Sequence, residues 1–322
     1  MKTIAIGAII SLLAVFLLPS AKKQLSPVAE DYVLLVEQTV KQPEETQTER
    51  TVSLLDGATL RTLSEKEYLT QVVLSEMPSD FHAEAMKAQA IAARTFLRKH
   101  TDKHENADIC SDSHCCQAWT SKEKLREKLA DRFEKAWDKA SSAVSETDGE
   151  VLLYQDELID AVFFSCTGGK TEAAIAVWGS DVPYLQSVDS YGETQALRYQ
   201  STNTVSEEEF KNVMSTDYPE IRLSSDPQNW LGEATYTQGG GVAQMKIGDM
   251  LFSGTELRRL FGLNSTQFTA EYQNGQFVFS VLGFGHRVGM SQYGAEYMAQ
   301  NGYDAAQILR YYYRGTQIKK LP

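Results

Sequence analysis

The chain has 322 residues, and 31 Lys+Arg stand against 43 Asp+Glu for a net charge of −12. That acidic surplus excludes a protein that coats nucleic acid, because nothing neutralises a phosphate backbone. With 42% hydrophobic and 23% charged residues the composition is that of a globular fold, and it excludes disorder over most of the chain.

Thr3 to Ala21 carry no charge, Ile4 to Leu18 is almost wholly apolar, and Lys2, Lys22 and Lys23 flank the stretch. That length, with lysines able to snorkel at both ends, predicts a membrane anchor over residues 1–23. The competing reading, a cleaved signal peptide, meets Pro19 where a small residue is needed. Either reading exports the rest of the chain. Residues 24–50 are acidic and patternless and are expected as a tether, with residues 51–322 as the folded domain.

Thr51 to Leu63 alternates apolar and polar residues around Gly57 and predicts a strand pair. Ser64 with Glu67 predicts a capped helix running to Glu76. Pro78 stops it, and Ser79 or Asp80 is expected to cap a second, Ala-rich helix with Phe81, Ala85, Ala88, Ala92 and Phe96 on one face. Thr120 with Glu123 predicts one long helix, striped by Leu125, Leu129, Phe133, Trp137 and Ala140 and ended by Gly149. Strands are expected at Val151–Tyr154 and Ile159–Ser165, then at Ala234–Gln238, Val242–Ile247, Gln267–Tyr272 and Phe277–Leu282. Asn274-Gly275 makes the last two a hairpin. Short helices are expected at Ser206–Met214, Ser253–Phe261, Ser291–Gln300 and Ala305–Tyr312. Helices and strands mix without strict alternation, so the expected class is α+β with an antiparallel-strand-rich C-terminal part.

Six metal-binding side chains crowd residues 100–116: His100, His104, Cys110, His114, Cys115 and Cys116. A closed tetrahedral zinc site needs four, and His104, Cys110, Cys115 and Cys116 supply it, with His114 or His100 as substitutes. Such a site would be structural. A disulfide joining Cys110 to Cys115 or Cys116 is the alternative, since an exported chain permits one.

Glu76 ends its predicted helix, where the macrodipole disfavours a carboxylate. Val72, Val73 and Met77 beside it suggest partial desolvation, which raises a carboxyl pKa and suits a general acid. The plainer alternative is a surface Glu paired with Arg94 or Arg98.

Three stretches decide between these readings. The first is Glu76-Met77-Pro78, Phe81 and the run from Glu84 to Phe96 that contains Gln89 and Arg94. The second runs from Ser165-Cys166-Thr167-Gly168-Gly169-Lys170-Thr171 to Trp178 and Pro183-Tyr184-Leu185. The third is Gly283-Phe284-Gly285-His286-Arg287-Val288-Gly289-Met290-Ser291-Gln292-Tyr293-Gly294-Ala295, with Tyr311 to Thr316 near the end. In this order they resemble the signature of the stage II sporulation protein D family, which also includes amidase-enhancer proteins, over residues 50 to 320.

The resemblance implies a lytic transglycosylase of forespore engulfment. Its substrate would be peptidoglycan glycan strands already stripped of stem peptides by a partner amidase. It would cut between N-acetylmuramic acid and N-acetylglucosamine, leave a 1,6-anhydro end, and use Glu76 as its acid. It further implies a membrane-anchored protein working between the mother-cell and forespore membranes beside that amidase and a membrane scaffold. No cofactor is required for the chemistry.

Gln89 and Arg94 can donate hydrogen bonds to sugar hydroxyls, acetamides or the lactyl carboxylate, and Arg94 can instead orient Glu76. Ser165, Thr171, His286, Ser291 and Gln292 fall in Gly-rich turns and are expected to line the cleft. Three positions depart from the family pattern. Arg287 replaces a Gly and puts a bulky cation at the site or in solvent. Cys166 replaces a small hydroxyl residue, and Cys115 stands where metal-binding members carry His. Two rival functions are a non-catalytic, glycan-binding amidase enhancer and a cysteine hydrolase using Cys166 and His286.

Overall fold

A computed structural model describes residues 50–101 and 103–322. The expected anchor (1–23) and all of the expected tether except Arg50 lie outside the described residues. Among those residues no helix is long and apolar enough to cross a membrane.

Thr51–Asp56 (β1) and Thr59–Ser64 (β2) pair antiparallel as expected and turn on Gly57. The Ser64 side chain accepts from Glu67 N at 3.2 Å and opens helix α1, Glu65–Glu76. Helix α2, Ala83–Lys99, starts later than the sequence suggests, and His82 caps it through Nδ1. Ser79 and Asp80 are taken up in a turn that Phe81 N closes on Pro78 O at 3.2 Å, and this buries the Phe81 ring.

Ile109–Cys110 (β3) runs parallel to β1. The single long helix expected after it is two helices, α3 at Lys122–Leu129 and α4 at Phe133–Glu146. Ser121, not Thr120, caps the first, and Ala130 breaks the run with φ 49°. The break leaves Leu125, Leu129, Phe133 and Ala140 all buried in one core.

Glu150–Tyr154 (β4) and Glu157–Leu158 (β5) form a tight hairpin. Its two turn residues, Gln155 and Asp156, both take positive φ, as a type I′ turn requires. The strand expected over Ile159–Ser165 reduces to Phe163–Phe164 (β6), followed by the short helix α5 at Ala174–Trp178.

The chain then forms Gln200–Ser206 (β7), Glu207–Asp217 (α6), Leu231–Tyr236 (β8), Val242–Ile247 (β9), Met250–Ser253 (β10) and Gly254–Leu260 (α7). Gln267–Gln273 (β11) and Gln276–Leu282 (β12) follow, then Met290–Ser291 (β13), Gln292–Gln300 (α8), Ala305–Tyr312 (α9) and Gln317–Lys320 (β14). Four small sheets run β2-β1-β3, β10-β9-β8, β11-β12-β7 and β14-β4-β5, while β13 lies parallel to β6. The class is α+β, as expected.

Two apolar cores serve the one folded unit. The first gathers α1 to α4, α8 and α9 around residues such as Leu69, Val73, Phe133 and Leu309. The second belongs to residues 200–282, inserted between the second and third motifs, and is aromatic. Phe210 stacks on Phe277 at 4.0 Å, and Trp230 lies parallel to Phe277 at 5.4 Å. Each such pair adds about 0.5–1.5 kcal/mol beyond its buried area.

Candidate active site

Helix α1 ends at Glu76 because Met77 turns extended and buries its side chain, with Met77 N still donating to Val73 O. Glu76 is left half-buried and held from two sides. Its Oε1 accepts from Ala118 N at 2.7 Å, and its Oε2 accepts from Gln292 Nε2 at 3.3 Å. Burial pushes the carboxyl pKa above its ordinary value, and the two donors oppose the shift without reversing it.

Ala118 is presented by three consecutive residues clamped to the helices. Gln117 Nε2 reaches Tyr68 Oη and Ala93 O, and Trp119 Nε1 donates to Gln71 Oε1 at 2.7 Å. Gln292 opens α8, which Ser291 caps by accepting from Gly294 N at 3.1 Å. Both Ser291 Oγ and Tyr293 N donate to Ser165 O. The Tyr293 ring meets Phe81 edge-on at 4.9 Å. The first and third motifs therefore meet at Glu76, with the second directly behind.

The structure brings Glu76, Ser165, Ser291 and Gln292 together and leaves the other expected residues apart. Arg94 is buried with Glu65 at 2.9 Å, and its remaining donors reach the carbonyls of Val144, Thr147 and Glu150. It closes the C-terminal end of α4 and makes no hydrogen bond to Glu76 among the described residues. Gln89 is wholly buried, and neither atom of its amide has a hydrogen-bond partner there. Thr171 is buried against strand-like backbone, with its Oγ1 accepting from Val188 N at 2.8 Å. His286 packs between Phe164 and Trp178, and burial pushes its pKa down to about 4. It is neutral at physiological pH.

Arg287 takes φ 65°, the left-handed conformation that the usual Gly would adopt freely. The expectation of a cation at the site or in solvent is corrected, because the side chain is wholly buried away from Glu76's hydrogen-bond partners. It lies 3.5 Å from Glu172 and donates to Lys170 O and Gly239 O. Cys166 is buried too, with burial raising its thiol to about 11 and no hydrogen bond to His286 among the described residues. A protonated, shielded thiol with no base argues against the cysteine hydrolase.

One carboxylate has no signal in the sequence. Glu193 is 3% exposed and accepts from Thr167 N and Ser190 Oγ, and Ser190 Oγ is in turn 2.8 Å from Tyr312 Oη. A Cβ at Gly294 would lie 2.0 Å from Tyr312 Oη and 2.4 Å from Ser190 Oγ. Gly294 thus lets α8 close onto this network and fixes the helix that carries Gln292.

His104, Cys110, Cys115 and Cys116 place their ligand atoms within 4.8 Å of one another. His104 Nε2 is 3.3 Å from Cys116 Sγ, and the Cys115 and Cys116 sulfurs are 3.8 Å apart. A zinc tetrahedron with bonds of about 2.0–2.3 Å has edges of roughly 3.3–3.8 Å, so these residues fit the ion. All four cysteines are free thiols, so the expected alternative of a disulfide does not form. Neither substitute ligand joins the cluster, because His114 bonds Asp112 in solvent and His100 bonds Asp160. Cys115 is therefore the residue that completes the cluster of four.

The site is a helix-end carboxyl held between a Gly-rich turn and a pinned loop, and comparison with known chains places the protein among sporulation proteins. The stage II sporulation protein family model matches residues 57–154. Stage II sporulation protein D of Bacillus subtilis (strain 168) is 36% identical over 261 residues, covering 79% of this chain and 74% of that one. The amidase enhancer of the same organism is 29% identical and spans 78% of this chain but 40% of its own length. The chain belongs to the stage II sporulation protein D family.

Proposed function

We propose that the protein is a lytic transglycosylase that cuts the bond between N-acetylmuramic acid and N-acetylglucosamine in stem-free peptidoglycan strands. The observation that carries this reading is Glu76, a half-buried carboxyl of raised pKa where three motifs converge. The short bond from Ala118 keeps Oε1 an acceptor, so the acidic proton resides on Oε2. It passes to the glycosidic oxygen as that bond breaks. The carboxylate then takes the proton of the sugar's own C6 hydroxyl as that oxygen closes on the anomeric carbon, giving the 1,6-anhydro end.

Hydrolysis would instead need a second carboxylate, about 5–9.5 Å away. Glu84 is engaged by Lys87 and by Ala305 N, both at 2.9 Å, and Asp80 is exposed. Glu84 is thus already committed to a cation and a backbone N–H, and the transglycosylase route needs no carboxylate besides Glu76.

In this reading a structural zinc ion held by His104, Cys110, Cys115 and Cys116 fastens the loop that leads to Ala118 and takes no part in the reaction. Residues 1–23 anchor the chain to the membrane. The folded part works between the mother-cell and forespore membranes, beside a stem-peptide amidase and a membrane scaffold. The relative named amidase enhancer favours a second reading, a glycan-binding protein that stimulates an amidase without cutting.

Mass spectrometry of stem-free strands incubated with the protein and with Glu76→Gln separates these readings. Anhydro ends made by the parent and absent with the variant support the transglycosylase. Hydrated ends would make it a hydrolase, and intact strands bound by both proteins would favour the enhancer.

A further inference from the structure

The inserted region presents a surface that the reaction at Glu76 does not use. In the β11–β12–β7 sheet, Phe268, Phe277, Phe279, Val281 and Val205 point into the aromatic core. The period of two therefore turns Gln200, Thr202, Thr269 and Ser280 to the opposite face. Outer sheet faces ordinarily carry charge, and this chain is 23% charged, yet Glu271 is the only charged residue in the three strands. A cavity of about 320 Å³ opens on that face, lined by the polar side chains of Gln200, Gln267, Thr269 and Ser280 and by the apolar Leu282. Tyr236, 55% exposed, stands at its rim.

Uncharged hydroxyl and amide donors beside an exposed aromatic ring suit a sugar, whose hydroxyls and acetamides need hydrogen bonds and whose C–H face packs on a ring. They suit a phosphate polymer poorly, since no cation lines the cavity.

Two segments run from the catalytic cleft to this cavity. Ser165 receives the hydrogen bonds of Ser291 and Tyr293, and three residues on, Gly168 N donates to Gln267 Oε1 at 3.1 Å. A Cβ at Gly168 would lie 2.3 Å from Gln267 Oε1, so the glycine permits the join. Leu197 meets the Tyr293 hydroxyl with its backbone, and three residues on, Gln200 lines the cavity. Each connection spans at most about 11 Å of chain. Between them lies exposed Arg198, stacked on Phe284 at 4.6 Å and without an acidic partner among the described residues. It is free to meet a lactyl carboxylate on a strand crossing the gap.

We propose that the outer face of the β11–β12–β7 sheet is a second glycan-binding site, which grips the same strand several sugars away from the bond presented to Glu76. The proposal rests on the glycan-cleaving reading above and adds how strand length is sensed. A strand long enough to reach both sites binds the second at high effective concentration, whereas a short fragment fills only the cleft.

The test uses the full-length chain in detergent, carrying Glu76→Gln to prevent cleavage. Its probes are stem-free glycan strands of many disaccharides and a stem-free tetrasaccharide. Tyr236→Ala, and separately Thr269→Glu at an exposed position of the face, are expected to weaken long-strand binding roughly tenfold. The tetrasaccharide Kd should not change. Melting curves confirm that both variants fold. Unchanged long-strand binding in both variants overturns the second site while leaving the cleft intact, and is the result expected if a protein partner docks there instead. Equal weakening of both probes overturns it as well, because the effect would then lie in the cleft. A parent that binds neither probe removes the glycan-cleaving reading itself.

Discussion

Glu76 carries the strongest expectations of any single residue. Glu76→Gln should lower kcat by about 10²–10⁴, as loss of a general acid does, and leave strand binding in place. Because burial raises the folded-state pKa, cleavage should fall as pH rises through that raised value. The same shift acts on stability. Below the ordinary carboxyl range both states are protonated and there is no penalty. As pH climbs through the raised pKa the unfolded chain gains, so stability is lost. Melting temperatures of parent and Glu76→Gln should therefore converge in acid and separate in the variant's favour towards neutrality. Arg94→Met makes the opposite contrast. It strips a buried carboxylate of a partner and removes the guanidinium donors from the carbonyls of Val144, Thr147 and Glu150, which should cost about 3 kcal/mol in urea unfolding without altering strand affinity. Glu76 and Gln292 were legible because they stand in long motifs. Ala118 was not, since its contribution is a backbone N–H, and nothing around Glu193 distinguishes it from a loop acid until Thr167 and Ser190 are seen to converge on it.

At the level of elements, the cysteine loop and the start of α8 are the two supports of the cleft. The loop from His104 to Cys116 leads in two residues to Ala118, so the ligand cluster and the carboxyl are mechanically joined. Cys110→Ser should lose one zinc per chain by metal analysis, melt several degrees lower, and reduce kcat more than it changes KM. Ser291→Ala removes a helix cap worth about 1 kcal/mol and frees the turn bearing Gln292. The metal cluster was readable from residue type and spacing. The two-helix break at Ala130 was not, because the apolar stripe continues across it and only a positive φ reveals the corner. Strand β7 also escaped notice, since Gln200 to Ser206 shows one buried residue, Val205, in seven and hence no alternation to find.

The whole molecule has two cores where the sequence suggested a single domain. Residues 200–282 share the general composition of their surroundings, so nothing in charge or turn content marks the insertion; its separateness lies in which aromatic rings find one another. Net charge is also a property of the whole. At −12 the protein repels strands that bear lactyl carboxylates. Binding should therefore tighten as ionic strength rises from about 10 to 150 mM and the screening length shrinks from about 30 to 8 Å. Titration at the two salt concentrations checks the sign.

Strand β14 pairs with β4, Leu321 N donates to Gly149 O, and the Arg50 guanidinium donates to the carbonyl of Pro322. Entry and exit of the folded path consequently coincide. In topological terms the path is nearly a ring, and a ring has no privileged point of attachment. A linker fused after Pro322 would hang the folded domain from a surface by the same corner as one arriving before Arg50, with the Glu76 site facing the same way.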